Sequence, residues 1–491
     1  MPQISFAQRL ADLAATAPDR PAVTCAAEQL TRAELERAAN RLARDLAGRG
    51  VVTGDMVTIA LPNSVAWFVA TVACWKLGAV PQPVSAKLPE RELHAVVELA
   101  EPRVVVGVDP AALPGHTCLP VGYAPPVDLD DGPLPDAVSP SWKAPTSGGS
   151  TGRPKLIVSG DPSLIDTTAP LPLLLQDDGC LVMPGPMYHN GPVVWSCQAL
   201  LQGNHVVVLP RFDAEGTLAA IERYRADVVY LVPTMMKRIW RLPEEVRLGY
   251  DLSSLRVVWH LAEPCPAWLK DAWIDWLGAE RIVELYGGTE GQAATVITGP
   301  EWVAHRGSVG RPILGSIMVC DPDGNPVPPG EEGEVWMRAD HRDTPTYRYV
   351  GANARRREDG WESLGDMGWL DEDGYLYLGD RQQDMILVGG SNVYPAELEA
   401  ALQEHPAVRS AVVIGLPDED RGNRIHAIVE ADPAMLPEQD LLTFLAVRLA
   451  TYKLPRTVEY VDEPMRDEAG KVRRAALRAE RIAREQGIAT S

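Results

Sequence analysis

A glycine-rich decapeptide, TSGGSTGRPK, occupies residues 146–155. Glycine lacks Cβ and tolerates positive φ, so such a loop can bring backbone N–H groups close to phosphate oxygens. Hydroxyl side chains and the closing Lys155 add hydrogen-bond donors and a positive charge. The loop is not a Walker loop, because Leu156 follows Lys155 where Ser or Thr is required, and it is not a dinucleotide GxGxxG motif. Composition therefore predicts a phosphate-binding loop, with an ordinary flexible linker as the open alternative.

Three later segments carry residue types that are suited to phosphate chemistry. Thr289 and Glu290 lie in YGGTEG, Asp366 in LGDMG and Lys471 in DEAGKVRR. A carboxylate is a hard oxygen ligand for Mg²⁺, and lysine carries a point charge on a flexible stem. Taken singly, a solvated loop acid explains Glu290, and ordinary turn chemistry explains Asp366.

The ordered set of motifs resembles the adenylate-forming superfamily of acyl-CoA synthetases, luciferases and peptide-synthetase adenylation domains. The motifs are TSGGSTGRPK, PMYHNGP, ELYGGTEGQ, GSVGRP, ESLGDMG, GDRQQDMILVGGSNVYPAELE and MRDEAGKVRR, and they extend over nearly the whole chain. The resemblance implies activation of a carboxylate with ATP and Mg²⁺, release of pyrophosphate, and acyl transfer to a thiol. An anionic carboxylate must then attack an anionic phosphate, so the protein has to neutralise charge and align the two groups.

The resemblance also implies a role for residues of the large domain. The residues that it assigns to the β- and γ-phosphates are Ser147, Gly149, Ser150, Thr151, Gly152 and Lys155. Around the nucleoside and the α-phosphate it implies Tyr286 with Gly287 beside adenine, Thr289 as a donor to the α-phosphate, Glu290 on Mg²⁺, and Asp366 with Arg381 on the ribose. His189 corresponds to a gate beside the acyl carboxylate. The loop departs from the commoner TSGSTG by one extra glycine.

The C-terminal segment carries the remaining roles that the resemblance implies. Lys471 corresponds to the lysine that the small domain inserts for adenylation, although acidic residues precede it where PRTxxGK is commoner. Gln383 corresponds to the hinge about which that domain swings. Gly389 and Gly390 would let the pantetheine arm of coenzyme A pass. Phosphates of coenzyme A would meet Lys453 and either Arg473 or Arg474.

The elements that must position these residues indicate an α/β fold. Short β-branched runs such as RVVVGV and DVVYLVP alternate with helical stretches, which is typical of mostly parallel sheets. Turn-rich sequence after about residue 310 predicts antiparallel hairpins, a β-barrel-like part of the large domain. We therefore expect a large N-terminal domain over 1–382 and a small mobile α+β C-terminal domain over 383–491. Within the first, Thr31 and Glu34 predict a capping box, and Gly48 predicts a left-handed helix stop.

Composition narrows the class of protein further. The formal net charge of −21 argues against sequence-independent nucleic-acid binding. No apolar run approaches the roughly 20 residues of a membrane span, and charges interrupt the N-terminus where a signal peptide would be apolar. Seven scattered cysteines without a CxxC pair favour buried free thiols in a reducing cytoplasm. We expect a cytoplasmic monomer or homodimer.

The sequence indicates the class of acid that the protein uses but not its identity. No Asp or Glu occurs between Pro186 and Arg211, where amino-acid-activating relatives carry an Asp, so an amino acid is disfavoured. The same stretch supplies the apolar residues Val193, Val194, Trp195 and Leu200, and Gly287 and Gly288 leave room beside it. These features and the loop variants resemble ligases for bulky acids, including bile-acid and diterpenoid-acid CoA ligases.

Three functions stay open. The favoured one is an acid–CoA ligase that uses a small-molecule carboxylic acid. The second is an acyl-AMP ligase that loads a carrier-protein thiol, and the third is a catalytically silent nucleotide-binding protein. Together, Thr289, Glu290, Asp366, Arg381 and Lys471 argue against the third.

Overall fold

The computed structural model describes residues 3–148, 154–168, 172–340, 344–379, 384–388, 391–418, 422–467 and 470–485. Its strands are β1 Gln3–Ser5, β2 Pro21–Cys25, β3 Glu28–Thr31, β4 Met56–Ile59, β5 Val80–Pro83, β6 Val104–Val106, β7 Cys118–Leu119, β8 Thr146–Gly148, β9 Pro154–Ser159, β10 Leu164–Asp166, β11 Cys180–Met183, β12 His205–Val208, β13 Val228–Leu231, β14 Val257–Leu261, β15 Ile282–Gly287, β16 Ala294–Thr298, β17 Ser308–Leu314, β18 Ser316–Cys320, β19 Gly333–Arg338, β20 Tyr347–Val350, β21 Arg355–Arg356, β22 Glu362–Leu370, β23 Leu376–Leu378, β24 Ile386–Val388, β25 Ser391–Val393, β26 Ser410–Asp418, β27 Gly422–Glu430 and β28 Thr457–Val461.

The α-helices lie between these strands and cover the faces of the sheets. They are α1 Phe6–Thr16, α2 Arg32–Gly48, α3 Val65–Lys76, α4 Glu90–Ala100, α5 Asn190–Leu201, α6 Ala214–Tyr224, α7 Pro233–Trp240, α8 Glu244–Arg247, α9 Ala267–Leu277, α10 Gly299–Ala304, α11 Pro395–Gln403, α12 Glu438–Ala446 and α13 Arg474–Glu485. No helix in the described ranges is long and apolar enough to cross a membrane.

A 14-stranded sheet runs through most of the chain, in the order β18-β19-β22-β23-β17-β16-β15-β14-β13-β11-β12-β2-β3, with β21 beside β22. Its strands from β15 to β2 pair in parallel. From β15 outward through β16, β17 and β23 the pairing is antiparallel. The alternation of strands and helices thus produces the parallel part, and the turn-rich sequence produces the antiparallel part, so the predicted α/β class is confirmed.

Three smaller sheets lie in the first part of the chain, of which the smallest pairs β1 with β10. Strands β5-β4-β6-β7 form a parallel sheet, and β20-β9-β8 form an antiparallel one. In the latter, Ser147 pairs with Lys155, so the glycine-rich segment connects two adjacent strands. Its central residues, 149–153, lie outside the described residues. The two ends of the loop are therefore fixed by β-sheet pairing.

The C-terminal part has a sheet and a core of its own. Strands β26-β27-β28 form a three-stranded sheet. A buried cluster including Leu398, Val413, Ile425 and Leu441 lies among β26, β27, α11 and α12. This is the α+β arrangement that the sequence predicts. The predicted boundary between 1–382 and 383–491 falls within residues 380–383, which lie outside the described residues. The boundary therefore stays a prediction.

Helix α2 confirms one local prediction and corrects another. The Thr31 side chain accepts from the Glu34 backbone, and Glu34 caps the Thr31 backbone in return. Gly48, however, is still helical, and the left-handed residue is Gly50 with φ of 86°. The helix continues because Arg49 N–H still donates to the carbonyl of Asp45.

All seven cysteines are free thiols. Only Cys265 is partly exposed; the others are buried.

Candidate active site

Lys155 and Glu290 face each other in the polar site. Lys155 is the second residue of β9, and its Nζ lies 3.6 Å from Glu290 Oε1. Glu290 is buried, with 6% of its surface exposed. The same Lys155 ammonium lies 3.9 Å from the centre of the Tyr349 ring. The end of the glycine-rich loop is thus held against the acid of YGGTEG. Gly149, Ser150, Thr151 and Gly152 lie outside the described residues.

Tyr349 is a site residue that the sequence prediction missed. Its hydroxyl donates to Glu290 Oε1 at 2.5 Å. Burial, followed by the nearby Glu290 charge, raises the pKa of Tyr349, so it remains a donor. Strand β20 brings it there by pairing with β9, where Tyr349 faces Ile157. The run YRY offers no local signal of this contact, because the two segments are almost 200 residues apart.

The residues expected around the nucleoside lie together. The Tyr286 hydroxyl donates to Asp366 Oδ2 at 2.7 Å. Tyr286 and Gly287 end strand β15, whereas Asp366 is in the middle of β22. Gly288 lines the cavity and also packs closely on β22, because a Cβ there would be 2.4 Å from Leu364 Cδ1.

His189 and Lys471 form a second polar group through Asp467. His189 Nε2 lies 3.7 Å from Asp467 Oδ2, and Asp467 Oδ1 accepts from the Lys471 backbone N–H at 2.9 Å. Burial, reinforced by the Lys471 charge, lowers the pKa of His189 to about 3. The imidazole is therefore neutral near neutral pH, and Lys471 supplies a positive charge beside it.

The turn before Lys471 packs closely on the large domain. A Cβ on Gly470 would lie 0.9 Å from Glu263 Oε1, so only glycine permits this approach. Glu263 cannot move aside freely, because its other oxygen accepts from both the backbone N–H and the hydroxyl of Thr234. Burial raises the pKa of the Glu263 carboxyl.

Further contacts hold the C-terminal part in this orientation. Arg241 donates to the Val408 carbonyl at 2.6 Å, and Arg473 pairs with Glu92 at 2.8 Å. The Lys237 ammonium donates to the Gln403 side chain at 3.1 Å. Lys471 therefore reaches the large domain as part of an extended interface.

One cavity of about 2500 Å³ connects these groups. The predicted site residues that line it are Ser147, Lys155, His189, Tyr286, Gly287, Thr289, Glu290, Asp366 and Lys471. Val194 and Trp195 line it as well, whereas Val193 and Leu200 belong to the hydrophobic core. The predicted apolar wall is therefore formed by part of the expected stretch.

Some predicted residues are not brought to this group. The Lys453 ammonium pairs with Glu397 at 2.6 Å and does not line the cavity. This pairing occupies its charge within the C-terminal part. Arg381, Gln383, Gly389 and Gly390 lie outside the described residues.

The donors fit a magnesium ion that is shared with phosphates. No group of three or more His, Cys, Asp or Glu within the described parts of the chain could hold a metal by itself. Mg²⁺ commonly uses one or two carboxylates plus substrate phosphates. The buried Glu290, beside the cationic Lys155, suits that arrangement.

The chain resembles known proteins along most of its length. Residues 10–342 match the AMP-binding enzyme family and residues 397–471 match the AMP-binding enzyme C-terminal domain. A feruloyl-CoA synthase from Amycolatopsis sp is 32% identical over 479 residues, covering 94% of this chain and 96% of the relative. The fatty acid–[acyl-carrier-protein] ligase ScoC from Streptomyces coeruleorubidus is also 32% identical, covering 94% and 93%.

Solved structures share the whole architecture. The O-succinylbenzoate coenzyme A synthetase from Bacillus subtilis, in complex with ATP and magnesium ion, has a TM-score of 0.79 and 25% identity. The match covers 97% of this chain and 100% of that one. The chain therefore belongs to the AMP-binding enzyme family that its motifs predict, and its class is that of the AMP-forming acid–thiol ligases.

Proposed function

We propose that this protein is an ATP- and Mg²⁺-dependent acid–CoA ligase for hydrophobic acids, including polycyclic steroid or terpenoid acids. The observation that carries the proposal is the cavity that is lined both by Lys155 with Glu290 and by His189 with Lys471. The first pair suits phosphates, and the second suits a carboxylate beside the α-phosphate. Tyr286, whose hydroxyl donates to Asp366, lines the same cavity with Asp366 and suits the nucleoside.

In the first half-reaction a carboxylate oxygen attacks the α-phosphorus of ATP. The new bond is the acyl–phosphate bond, and the bond to the β-phosphate oxygen breaks to release pyrophosphate. Lys471 and Lys155 offset negative charge, and Thr289 donates to the α-phosphate. A bound Mg²⁺, held by Glu290, would supply charge neutralisation to the phosphates.

In the second half-reaction a thiolate attacks the acyl carbon and AMP leaves. For this step the C-terminal part must move Lys471 away, and we place the hinge at Gln383, between domains 1–382 and 383–491. Gly389 and Gly390 would then line the thiol channel. The interface contacts at Arg241, Gln403 and Glu92 are polar, which suits a surface that separates.

Coenzyme A is the favoured thiol, and a carrier protein is the second candidate. The feruloyl-CoA synthase relative supports the first, and the fatty acid–[acyl-carrier-protein] ligase of equal identity supports the second. The exposed Arg473 is available to coenzyme A phosphates once its pair with Glu92 opens. An exposed cation at this place favours coenzyme A, because the phosphates of coenzyme A need cationic partners.

A pyrophosphate-release screen tests the proposal. Fatty, aromatic and polycyclic acids are offered with ATP and Mg²⁺, with coenzyme A, a carrier protein, or neither acceptor. We expect acid-dependent release, and thioester formation with coenzyme A for a hydrophobic acid. Lys471→Ala serves as the background control.

Each outcome of the screen has a distinct meaning. If a thioester formed on the carrier protein but not on coenzyme A, the protein would be an acyl-AMP ligase that loads a carrier-protein thiol. No release with any acid, by protein that still binds ATP, would favour the catalytically silent nucleotide-binding protein.

A further inference from the structure

Lys143 is a buried lysine in the candidate active site, and no motif drew attention to it. It precedes strand β8, so it lies only four residues before Ser147. Only 7% of its surface is exposed, yet it lines the cavity. A lysine is rarely buried so completely without a charged partner. Packing alone therefore does not explain why a lysine occupies this position in the site.

The Lys143 ammonium is held by a neutral partner. It donates to Asn190 Oδ1, and it lies 4.9 Å from the centre of the Trp142 ring. No ion pair joins it to a carboxylate in the described ranges of the chain. Burial lowers the pKa of Lys143 to about 8, and the charge interactions with Cys197, Glu290 and Asp161 offset only part of that effect. At neutral pH the cavity wall thus carries a positive charge that its hydrogen bond does not neutralise.

The location of this charge is fixed by helix α5. Asn190 is the first residue of that helix and directly follows His189. His189 is the residue that we place beside the carboxylate of the acid. Asn190 and Val194 are four residues apart on α5 and both line the cavity, so they share a face of that helix. From this placement we infer that the charge held by Asn190 lies near the carbons next to the carboxylate.

We propose that Lys143 determines acid specificity, favouring acids with a second acceptor oxygen (hydroxyl, oxo or carboxylate) close to the reacting carboxylate. Such an oxygen accepts a charge-assisted hydrogen bond from the buried ammonium, which is stronger in a dry site than in water. An acid with an α-ammonium group is repelled by the same charge. The inference rests on the proposed function, because it assumes that the acid binds beside His189.

Matched acids test this specificity by equilibrium binding as well as by turnover. The series is octanoate, 2-hydroxyoctanoate, 2-oxooctanoate and 2-aminooctanoate, with benzoate and 2-hydroxybenzoate as an aromatic pair. Dissociation constants are measured by calorimetry in the presence of AMP, and kcat/KM by pyrophosphate release. We expect the oxygenated acids to exceed their unsubstituted partners by at least about tenfold in both measurements.

Two variants locate the effect on Lys143. Lys143→Met keeps the length of the side chain and removes the charge, so the preference should fall to within about twofold and 2-aminooctanoate should gain. Asn190→Asp gives the ammonium an ion-pair partner, so the preference should also fall while Lys143 stays in place. Lys143→Met loses one hydrogen bond to Asn190 but also removes the cost of burying a charge, so its melting temperature should change little and its Kd for ATP should be unchanged.

The outcomes separate this inference from the proposed function. Absence of any preference in the parent protein would overturn it. An equal loss for all acids in Lys143→Met, or a raised KM for ATP, would assign Lys143 to folding or to the phosphates and also overturn it. If binding shows the preference but no acid gives pyrophosphate, the proposed function fails and the specificity stands.

Discussion

Glu290 shows how a single side chain joins the glycine-rich loop to the rest of the site. Its carboxylate faces Lys155 at 3.6 Å and accepts from Tyr349 at 2.5 Å. The motifs imply that both Glu290 and Lys155 act at the ATP phosphates, because both residues lie in segments with recognisable local sequence, but they do not predict that the two side chains pair. The hydrogen bond from Tyr349 is not predicted either, because it depends on the pairing of β20 with β9.

Replacing Glu290 tests whether its charge holds magnesium. Glu290→Gln keeps the shape of the side chain but removes the negative charge, so the Mg²⁺ concentration for half-maximal activity should rise at least about tenfold. Tyr349→Phe is the matched control, since it removes the hydrogen bond and leaves the carboxylate; its effect should be smaller. Pyrophosphate release is titrated with Mg²⁺ at saturating ATP. An unchanged magnesium requirement in Glu290→Gln would show that the ligand is another group.

At the scale of elements, the turn that carries Lys471 is positioned by its contact with Glu263 of the large domain, which the local sequence does not predict. Gly470 directly precedes Lys471 in the motif DEAGKVRR, but only the fold places Gly470 against Glu263. Local signals were reliable where the interaction is local, as in the Thr31 capping box. They were less reliable at Gly48, where the helix continued and Gly50 took the left-handed conformation.

The Gly470 contact predicts a selective defect. Gly470→Ala should lower adenylate formation by about 100-fold, because a displaced turn moves Lys471 away from the reacting groups. Gly422→Ala is the matched control: both glycines have nearly equal φ, 78° and 77°, but nothing lies within 4 Å of a Cβ on Gly422.

The two glycine variants are compared by acyl-AMP formation and by thioester formation from supplied acyl-AMP. Backbone strain alone would affect both variants alike. Equal activity of Gly470→Ala and Gly422→Ala in adenylate formation would therefore contradict a positioning role for the Glu263 contact.

At the scale of the whole molecule, the two parts of the large sheet could be predicted from the sequence, but the way they join could not. Strand–helix alternation predicts the parallel part of the sheet, and the turn-rich sequence predicts hairpins. Their union in one 14-stranded sheet was not predictable, because it depends on β16 folding back onto the last parallel strand, β15, and on the long-range pairing of β17 with β23. Likewise, the motifs name the site residues, but the burial of Lys143 and the presence of Glu263 in the same cavity follow only from tertiary packing.

Buried histidines make the stability of the molecule depend on pH. Burial lowers the pKa of His205 to about 4, while an unfolded histidine titrates near its ordinary 6.5. Between these values the unfolded chain binds more protons, so this contribution to stability is complete above pH 6.5 and is lost as the pH falls towards 4.

Substituting His205 isolates that contribution. From pH 7.5 to pH 5.0, the free energy of unfolding of the parent should fall by about 1–2 kcal/mol more than that of His205→Gln. Denaturant unfolding at both pH values measures the difference. Parallel pH dependence in the two proteins would mean that His205 does not carry a lowered pKa.

The arrangement of Lys471 beside His189 is the centre of the proposed chemistry, and its two half-reactions can be separated. In Lys471→Ala, acyl-AMP formation from acid and ATP, followed by mass spectrometry, should fall by at least about 100-fold because a cation near the reacting groups is lost. Thioester formation from supplied acyl-AMP and coenzyme A should stay within a few-fold of the parent, since the lysine acts in the first step alone. An equal loss in both half-reactions, or normal acyl-AMP formation by the variant, would contradict the assignment.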